Sequence, residues 1–434
     1  QEMDEQACHF KDGKIIVHPQ VETMMRKGGE LGIISASVPF DKGGLQMPLM
    51  VYTAATFILD AANNHMPGYA GLTLGAADLI LNFGSEELIQ KYTPKMLSGE
   101  WAGTMCLTEP QAGSSLSDIT SSATPNDDGT YAIKGQKIFI SGGDHEYLDN
   151  FVHLVIARVD GAPAGTKGIS LFVVPKKRIS DNGSLSSNDV ITAGDFQKLG
   201  QRGYCTTHLI FGENDGCKGW MVGSENKGLK YMFLMMNAAR IAVGRGAAGI
   251  VSAGYHASLE YAIDRKQGRR LNNEGKKNVE QDQTNITNHP DVRRMLMHQK
   301  VISEGSLNLI LLTSKYADLA TVSLSTEEKE KYQLLLELLT PITKTYPSEM
   351  GMQAISNGLQ VLGGYGFCSE YILQQYYRDI RIFSIYEGTT GIQSLDLLGR
   401  KILMQNGAAL NYLMGEITAT IKSAYSHESL HTYC

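Results

Sequence analysis

The fold of this chain is decided near its middle, where residues 127–140 read DDGTYAIKGQKIFI. The Asp127-Asp128-Gly129 turn lies between two extended runs, which is a signal for a β-hairpin. Further extended segments follow at residues 151–159 and 169–174, and Gly, Asn and Asp residues separate them. Strands at this spacing predict a compact β-domain, a sandwich or a barrel, over residues 101–216.

On both sides of this region, apolar residues recur at helical spacing. Before it, helices are expected from Pro48 to Asn63 and from Pro67 to Leu81, and Ser85 is the expected N-cap of a third. After it, Pro290 suits the first turn of a helix. The other helices expected there cover residues 231–265, 326–346, 349–362, 369–379, 391–404 and 408–425.

The order of helices, strands and helices predicts an α+β fold with a β-domain inserted into helical structure. We therefore expect an N-terminal helical domain over residues 1–100, a middle β-domain over 101–216, and a C-terminal helical domain of four-helix-bundle type over 217–434.

Composition and charge exclude several classes of function. The chain has 434 residues and a formal net charge of −6, so it lacks the basic surface expected for binding nucleic acid or an anionic membrane. Its six cysteines are scattered, with no CxxC pair, which predicts reduced thiols and no metal site. No 18-residue apolar run is present, so no membrane span is expected. These features favour a cytoplasmic protein in a bacterium, or a mitochondrial matrix protein in a eukaryote.

The candidate catalytic group is a carboxylate in residues 385–393, IYEGTTGIQ. Apolar neighbours raise the proton affinity of Glu387 by desolvation, which suits a base that takes a proton from carbon. The helix start that follows offers free backbone N–H groups to an anion or a polarised oxygen. The structural alternative is an acidic residue that caps a helix N-terminus.

Four other segments present small residues and hydroxyls on turns: residues 106–115, 138–143, 264–267 and 360–366. Each has an ordinary structural interpretation when taken alone, as a Pro/Gly loop, a core aromatic, a charged helix end and a helix stop. The glycine cluster at 360–366 lacks the preceding strand of a dinucleotide-binding fingerprint, which argues against nicotinamide.

Taken together, these segments resemble the acyl-CoA dehydrogenase family of flavoenzymes from about residue 28 to residue 405. The motifs TEPQAGS, GQKIFIS, MMNAAR, HPDVRRM and LDLLGRK indicate its 3-methylmercaptopropionyl-CoA dehydrogenase branch. That branch usually carries a further C-terminal domain. The end of this chain soon after the Gly391 helix, and its start at Gln1 without Met, therefore suggest a piece of a longer protein.

The resemblance implies FAD as cofactor and an acyl-CoA as substrate. Glu387 would remove the α-proton while the β-hydride passes to the flavin. Ala239 stands where some relatives carry the base, so Glu387 is left as the family-type base. The implied flavin contacts are Met105, Leu107, Thr108, Gly113, Ser114, Phe139, Ile140, Ser141, Thr389 and Gly391. The implied substrate contacts are Ser114, Asn237, Arg240, Tyr386 and Gly388.

The resemblance also implies a homodimer or homotetramer. Five residues match positions that reach the FAD of a neighbouring subunit: Arg265, Gln267, Gln360, Gly363 and Gly364. Three positions depart from the common pattern, since Ser115 replaces an aspartate, Gly391 a glutamine and Asn237 an acidic residue. These departures leave the local contacts open.

The resemblance implies that electrons pass to an electron-transfer flavoprotein. Two alternatives stay open: an acyl-CoA oxidase that uses oxygen, and a flavin-binding scaffold without catalysis, because one fold hosts several functions. Methylthio-propionyl and short, medium and long straight chains all remain candidate acyl groups.

Overall fold

A computed structural model describes residues 1–180 and 182–433, and for residues 234 and 235 it describes the backbone alone. The side chain of Met235, the first residue of the MMNAAR motif, therefore lies outside the described part of the chain. The chain forms two compact units. The first comprises Gln1–Met47, Ile58–Ala239 and Cys368–Asp379, and the second comprises Pro48–Phe57, Arg240–Phe367 and the residues from Ile380 on.

The N-terminal elements are mostly helical, as predicted. The Ser85 hydroxyl accepts a hydrogen bond from the Leu88 N–H at 3.3 Å, which confirms the expected N-cap. A short hairpin near the N-terminus was not predicted. The elements are α1 (Glu2–Glu5), β1 (His9–Lys11), β2 (Lys14–Ile16), α2 (Gln20–Glu30), α3 (Leu49–Ala62), α4 (Met66–Phe83) and α5 (Glu86–Leu97).

The middle of the chain forms the predicted β-domain, and its largest sheet has eight strands. The strands are β3 (Ala102–Cys106), β4 (Ser122–Pro125), β5 (Tyr131–Ser141), β6 (Phe151–Val159), β7 (Ile169–Pro175), β8 (Lys177–Ile179), β9 (Leu185–Ser187), β10 (Val190–Asp195), β11 (Thr206–Phe211) and β12 (Lys218–Met221). The pairs β5–β12, β12–β7, β7–β6, β6–β4 and β4–β5 close a ring of strands. The hairpin expected at Asp127-Asp128-Gly129 is present, since β4 and β5 pair antiparallel.

Strand β6 lies between two apolar cores of the first unit. Its residues Val152, Leu154 and Ile156 belong to the core that the N-terminal helices share. Val155 and Ala157 belong to a second core within the sheet. Because successive side chains of a strand point to opposite faces, this alternation buries both faces of β6 and fixes its register.

The C-terminal part is helical, and Pro290 lies in the first turn of its helix, as predicted. The helices are α6 (Gly228–Asp264), α7 (Pro290–Val322), α8 (Thr326–Leu362), α9 (Leu373–Ile380), α10 (Thr390–Gly399) and α11 (Ala408–Ala424). In the second unit, the Asp318 carboxylate of α7 accepts hydrogen bonds from the N–H groups of Leu49 and Met50 at 2.7 and 2.9 Å, which caps the start of α3.

The sequence predicts two helices over residues 326–346 and 349–362, and this division is wrong. Helix α8 runs unbroken through Pro341 and Pro347. Two hydroxyl groups near the prolines bond back to the helix: Thr345 donates to the Pro341 carbonyl at 2.7 Å, and Ser348 donates to the Lys344 carbonyl at 2.6 Å. Burial of most of its middle turns supplies the packing that offsets two missing N–H groups.

The predicted helix over residues 391–404 also needs correction, because α10 ends at Gly399 and short 3₁₀ turns follow. The fold class itself is confirmed: an N-terminal helical part, a β-rich middle and a C-terminal helical part. Across residues 1–180 and 182–433, no helix combines the length and apolar character that crossing a bilayer requires.

A buried carboxylate ties three distant segments of the first unit together. Asp379 accepts hydrogen bonds from His65 Nε2 at 3.0 Å, Asn64 Nδ2 at 3.2 Å and Gln375 Nε2 at 3.1 Å, and from the Gln201 N–H. Burial opposes ionisation, but the hydrogen bond and charge of His65, with the other donors, hold the pKa of Asp379 below its ordinary value.

Asp4, His65 and Asp379 have ligand-type atoms within 4.8 Å of one another, the spacing of a metal site. Both carboxylates already accept hydrogen bonds from other groups of the protein, however. Arg378 donates to both oxygens of Asp4 at 3.0 and 2.5 Å, and the donors named above surround Asp379. The cluster is therefore explained as a hydrogen-bonded ionic network that holds the first unit together.

We predict that Asp379→Asn destabilises the protein by about 3–5 kcal/mol at pH 7, because it leaves buried donors without a charged acceptor. The folded-state pKa of Asp379 is depressed, so its stabilisation is present above the unfolded value near 3.9 and is lost as the pH falls through the folded value. The wild-type advantage in urea unfolding should therefore shrink below about pH 4. Asp127→Asn, at an exposed residue, is the control, and equal stability of the two variants would contradict the prediction.

Candidate active site

The predicted base lies in a strained turn of the second unit, between a 3₁₀ turn (Arg381–Ser384) and α10. Glu387 has a φ of 53° and the next residue, Gly388, has a φ of 89°. A left-handed backbone is costly for a non-glycine residue, and such residues cluster at functional sites. Gln393, on α10, donates from Nε2 to the carbonyl oxygens of Glu387 and Gly388 at 3.1 and 3.4 Å, which holds the turn.

The turn leaves little room for substitution at its glycine. A Cβ atom on Gly388 would lie 2.5 Å from Gln393 Nε2. Thr389 caps α10, because its hydroxyl accepts a hydrogen bond from the Ile392 N–H at 3.3 Å. Tyr386 packs edge-on against Phe383, with ring centroids 5.5 Å apart. The predicted residues Tyr386, Glu387, Gly388, Thr389 and Gly391 thus form one ordered segment.

The Glu387 side chain is half-buried and stands in the field of two cations. Burial raises the pKa of its carboxyl group above the ordinary value, and the positive charges of Arg240 and Lys344 oppose this rise. A carboxylate that is partly desolvated, and whose raised pKa is countered by nearby cations, has the properties required of a general base.

Arg240, a predicted substrate residue, is buried on α6 and is held by an ion pair. Its Nη1 lies 2.8 Å from Asp396 Oδ2 on α10, and Arg400 Nε donates to the other oxygen of Asp396 at 2.8 Å. Lys401 is buried next to this group and pairs with Glu337. Burial lowers the pKa of Lys401 to about 8, and Arg240 adds to the fall.

Three buried polar atoms in this region have no hydrogen-bond partner among the described residues: Arg240 Nε, Lys344 Nζ and Gln393 Oε1. They lie on three different helices, α6, α8 and α10. Buried polar atoms are almost always satisfied, so three unsatisfied ones beside a strained carboxylate indicate a site built to meet a polar ligand.

Helix α6 approaches its neighbours closely because it carries two glycines, Gly244 and Gly246, in the turns that follow Arg240. A Cβ on Gly244 would lie 2.1 Å from the carbonyl oxygen of Thr343 on α8. A Cβ on Gly246 would lie 2.6 Å from the Phe383 ring, in the turn before Glu387. The glycines therefore set how closely α6, α8 and the Glu387 turn pack.

A second group of predicted residues lies in the first unit, where β3 ends and β5 ends. The loop after β3 carries Leu107, Thr108, Gly113 and Ser114, and a Cβ on Gly113 would meet open space. The loop is tied to β5, since the Ile138 N–H donates to the Thr108 carbonyl at 2.9 Å. The structure thus brings these residues close to Phe139, Ile140 and Ser141, and Met105 lies within β3 itself.

Phe139 presents an aromatic face on β5. The residue is 55% exposed and has a φ of 58°, a second non-glycine residue in the left-handed region. Its ring lies 4.5 Å from that of Phe196, centroid to centroid. Ile140, by contrast, is buried in the core of the sheet. An exposed aromatic face has the shape and polarity to stack on a flat apolar ligand, and strained conformations cluster at functional sites.

The loop is anchored by a buried ion pair that the sequence analysis did not identify. Lys137 Nζ lies 2.7 Å from Glu109 Oε1 and donates to the Leu107 carbonyl at 3.1 Å. Burial opposes ionisation of Glu109, but Lys137 and the donors Thr120 and Ser121 hold the pKa of its carboxyl group at about 2. The lysine side chain is fully buried.

The residues predicted to reach the FAD of a neighbouring subunit lie far from Arg240. Arg265 follows α6, and its Nη2 donates to Gln267 Oε1 at 3.0 Å. At 1.5 Å per residue, the end of α6 lies about 36 Å along the helix from Arg240. Tyr261 packs against Tyr365, with centroids 6.5 Å apart, so the ends of α6 and α8 meet. Gln360, Gly363 and Gly364 lie at this same place. Asn237 lies on α6, in its first-unit part, and is half-buried.

No functional role was expected from the sequence for Lys137, Lys344, Asp396 or Gln393. Counting in twos along β5 from the buried Ile133 places Lys137 on the same inward face, which offered a weak signal for an inward charge. Lys344 lies among apolar and hydroxyl residues, PITKTYP, whereas the exposed Lys329 of the same helix lies among glutamates, EEKEK, which offered a weak signal for its burial.

We predict that Glu109→Gln costs about 3–5 kcal/mol of unfolding free energy, because it leaves the Lys137 ammonium buried without its counterion. The double variant Glu109→Gln/Lys137→Met should recover at least half of this loss. Urea unfolding of the three proteins measures both effects. A loss below about 1 kcal/mol for the single variant would mean that the pair does not anchor the loop.

Comparisons with known proteins cover nearly the whole chain. Models of the acyl-CoA dehydrogenase N-terminal, middle and C-terminal domains match residues 2–100, 104–213 and 276–403. The chain is 40% identical over 418 residues to 3-methylmercaptopropionyl-CoA dehydrogenase of Ruegeria pomeroyi, covering 96% of this chain and 70% of the relative.

It is also 39% identical over 379 residues to a butyryl-CoA dehydrogenase of Syntrophomonas wolfei, covering 86% of this chain and 61% of that relative. The chain thus spans about two thirds of the length of these relatives. Among solved structures, butyryl-CoA dehydrogenase from Megasphaera elsdenii has a similar fold, with a TM-score of 0.71 at 24% identity, over 88% of this chain and 90% of that one.

Proposed function

This chain belongs to the acyl-CoA dehydrogenase family, and from that premise we propose that it oxidises an acyl-CoA thioester to the trans-2-enoyl-CoA with FAD as cofactor. The observation that carries the proposal is Glu387 itself: a half-buried carboxylate in a left-handed turn, faced by Arg240 and Lys344. Such a group suits removal of a proton from the carbon next to a thioester.

Proton removal from that carbon places negative charge on the thioester oxygen, which requires donors. The Glu387 N–H takes part in none of the hydrogen bonds found among the described residues, so it is free to donate. Gly388 adds no side chain at this point. We propose that the Glu387 N–H binds the thioester oxygen while a Glu387 carboxylate oxygen takes the α-proton.

The residues of the first unit fit a flavin. Phe139 offers an exposed aromatic face, and the loop at Gly113 leaves open space where a Cβ would stand. We propose that the flavin ring and the phosphates of FAD contact Met105, Leu107, Thr108, Gly113, Ser114, Phe139, Ile140 and Ser141, and that Thr389 and Gly391 of the α10 region add further contacts. FAD, when bound, supplies the acceptor for the β-hydride and its electron pair.

We propose that substrate contacts come from Ser114, Asn237, Arg240, Tyr386 and Gly388. Arg240 Nη1 lies 2.8 Å from Asp396 Oδ2, and this ion pair holds the positive charge of Arg240 at a fixed position beside the substrate. The names of the relatives include a methylthio-propionyl and a butyryl compound, and a short acyl chain is therefore the first class to test. We propose an electron-transfer flavoprotein as the physiological acceptor.

The far end of the second unit supports a homodimer or homotetramer. Arg265, Gln267, Gln360, Gly363 and Gly364 lie together at the ends of α6 and α8, about 36 Å along α6 from Arg240. Phe367, beside them, is 95% exposed. Exposed apolar surface next to charged groups is typical of an interface, and we propose that these residues contact FAD bound to a second subunit.

We predict that Glu387→Gln keeps bound FAD but reduces the rate of anaerobic flavin bleaching by acyl-CoA about 10²–10⁴-fold, since an amide cannot accept the α-proton. Stopped-flow absorbance of the flavin measures the rate. Glu304→Gln, at an exposed position of α7, should reduce flavin at the wild-type rate. An unchanged rate in Glu387→Gln would refute the assignment of the base.

A panel of acyl-CoA thioesters tests the substrate class and the competing oxidase activity together. Anaerobic bleaching is measured with methylthio-propionyl, butyryl, octanoyl and palmitoyl thioesters, and hydrogen peroxide is measured during aerobic turnover. We expect fastest bleaching with the short chains and little peroxide. Stoichiometric peroxide would identify an oxidase, and no bleaching by any thioester would favour the inactive scaffold.

A further inference from the structure

A lysine that no motif singled out lies near the proposed base in the second unit. We propose that Lys344 is a positioning residue for the base: α8 holds its buried ammonium group so that it orients the Glu387 carboxylate and keeps it ionised after water is displaced. This inference rests on the proposed function and assigns a role to a residue outside the family-type motifs quoted above.

The position of Lys344 is fixed by the helix that carries it. The side chain is fully buried, and its Nζ has no hydrogen-bond partner among the described residues. Pro341 and Pro347 lie on either side of it in α8. The close approach of Gly244 to Thr343 brings α6 against α8 at this level, one turn after Arg240. The ammonium group therefore has little freedom to leave for solvent.

The charges that face Lys344 come from three elements. Glu387 lies in the turn before α10, Glu349 lies one turn further along α8, and Arg240 lies on α6. Burial lowers the pKa of Lys344 to about 8, against the pull of both carboxylates and with Arg240 adding to the fall. Glu349 is exposed and receives a hydrogen bond from Thr390. Glu387 is therefore the less solvated of the two partners.

A purely structural role explains this lysine poorly. A structural buried charge normally has a counterion and hydrogen bonds, as Lys137 has with Glu109 at 2.7 Å. Lys344 lacks such a bond, so burying it costs folding free energy, and an apolar side chain of similar length would pack without that cost. Residues that lower stability where a reaction takes place are typical of catalytic sites.

The first test is the pH dependence of anaerobic flavin reduction by an acyl-CoA in the wild type and in Lys344→Met. Loss of the cation removes one of the two charges that keep Glu387 ionised. We expect the variant to be about tenfold slower than the wild type near pH 6, and to approach the wild-type rate above about pH 9. Lys344→Arg, which keeps the charge, should lie closer to the wild type. Lys329→Met, at an exposed residue of the same helix, is the control.

The second test needs no turnover. Because the folded-state pKa of Lys344 is about 8 and its ordinary value is 10.5, the unfolded chain binds more protons between these values, and the wild type gains stability as the pH rises through them. Lys344→Met removes this penalty. We expect its thermal midpoint to exceed that of the wild type by more at pH 7 than at pH 10.

The outcomes separate the two proposals. If the wild type binds FAD but no thioester bleaches its flavin, the proposed function is wrong. A wild type that is bleached, together with a Lys344→Met variant whose rate has the same pH profile, overturns the role of Lys344. A lower thermal midpoint for Lys344→Met with an unchanged profile would identify a structural lysine. Should the Met variant fail to fold, Lys344→Gln makes the same comparison.

Discussion

A base that removes a proton from carbon must be partly stripped of water and must still be ionised, and these two demands oppose each other. The surroundings of Glu387, the proposed base, bear on both demands. Burial alone raises the pKa of its carboxyl group, and Arg240 and Lys344 counter that rise from two different helices. The rest of the second unit can be understood as the means of bringing a strained turn and two cations to one place.

The packing of the helices follows from small residues and prolines at defined positions. Gly244 and Gly246 let α6 approach α8 and the Phe383 ring, so that Arg240 lies beside the turn. Helix α8 passes through Pro341 and Pro347 without breaking and keeps Lys344 buried between them. On the turn itself, Gln393 holds the two carbonyl groups at residues 387 and 388, which maintains a conformation that a glutamate rarely adopts.

In the first unit, the feature that needs explaining is how the glycine-containing loop after β3 is held in place. The Glu109–Lys137 pair joins the loop after β3 to β5 with a distance of 2.7 Å. Phe139 and Glu387 share a feature despite lying in different units: both are non-glycine residues with positive φ. Strain at two separate proposed ligand contacts is consistent with selection for function at both.

Much of this could be predicted from the sequence because local patterns determine it. The strand that begins at Tyr131, the cap at Ser85 and the first-turn Pro290 all follow from turn, capping and proline chemistry. The β1–β2 hairpin was missed although Asp12-Gly13 is a turn signal, since its strands are only three residues long.

Other features depend on tertiary packing, and no sequence window contains it. The continuity of α8 depends on burial that offsets two prolines. The burial of Lys344 and Lys137 depends on which helices and strands lie against them. Sequence patterns therefore predicted Glu387 as the candidate base, whereas the charges around its carboxylate became visible only in three dimensions.

The most direct test of the central claim is a crystal structure of the FAD-loaded protein with an unreactive acyl-CoA thioether. The distance to be measured joins a Glu387 carboxylate oxygen to the carbon that corresponds to the α-carbon of the substrate. The account predicts about 3–3.5 Å, the separation of groups poised to react, with Lys344 Nζ directed at the same carboxylate. A carboxylate turned away from the ligand, with another basic group nearer that carbon, would contradict it.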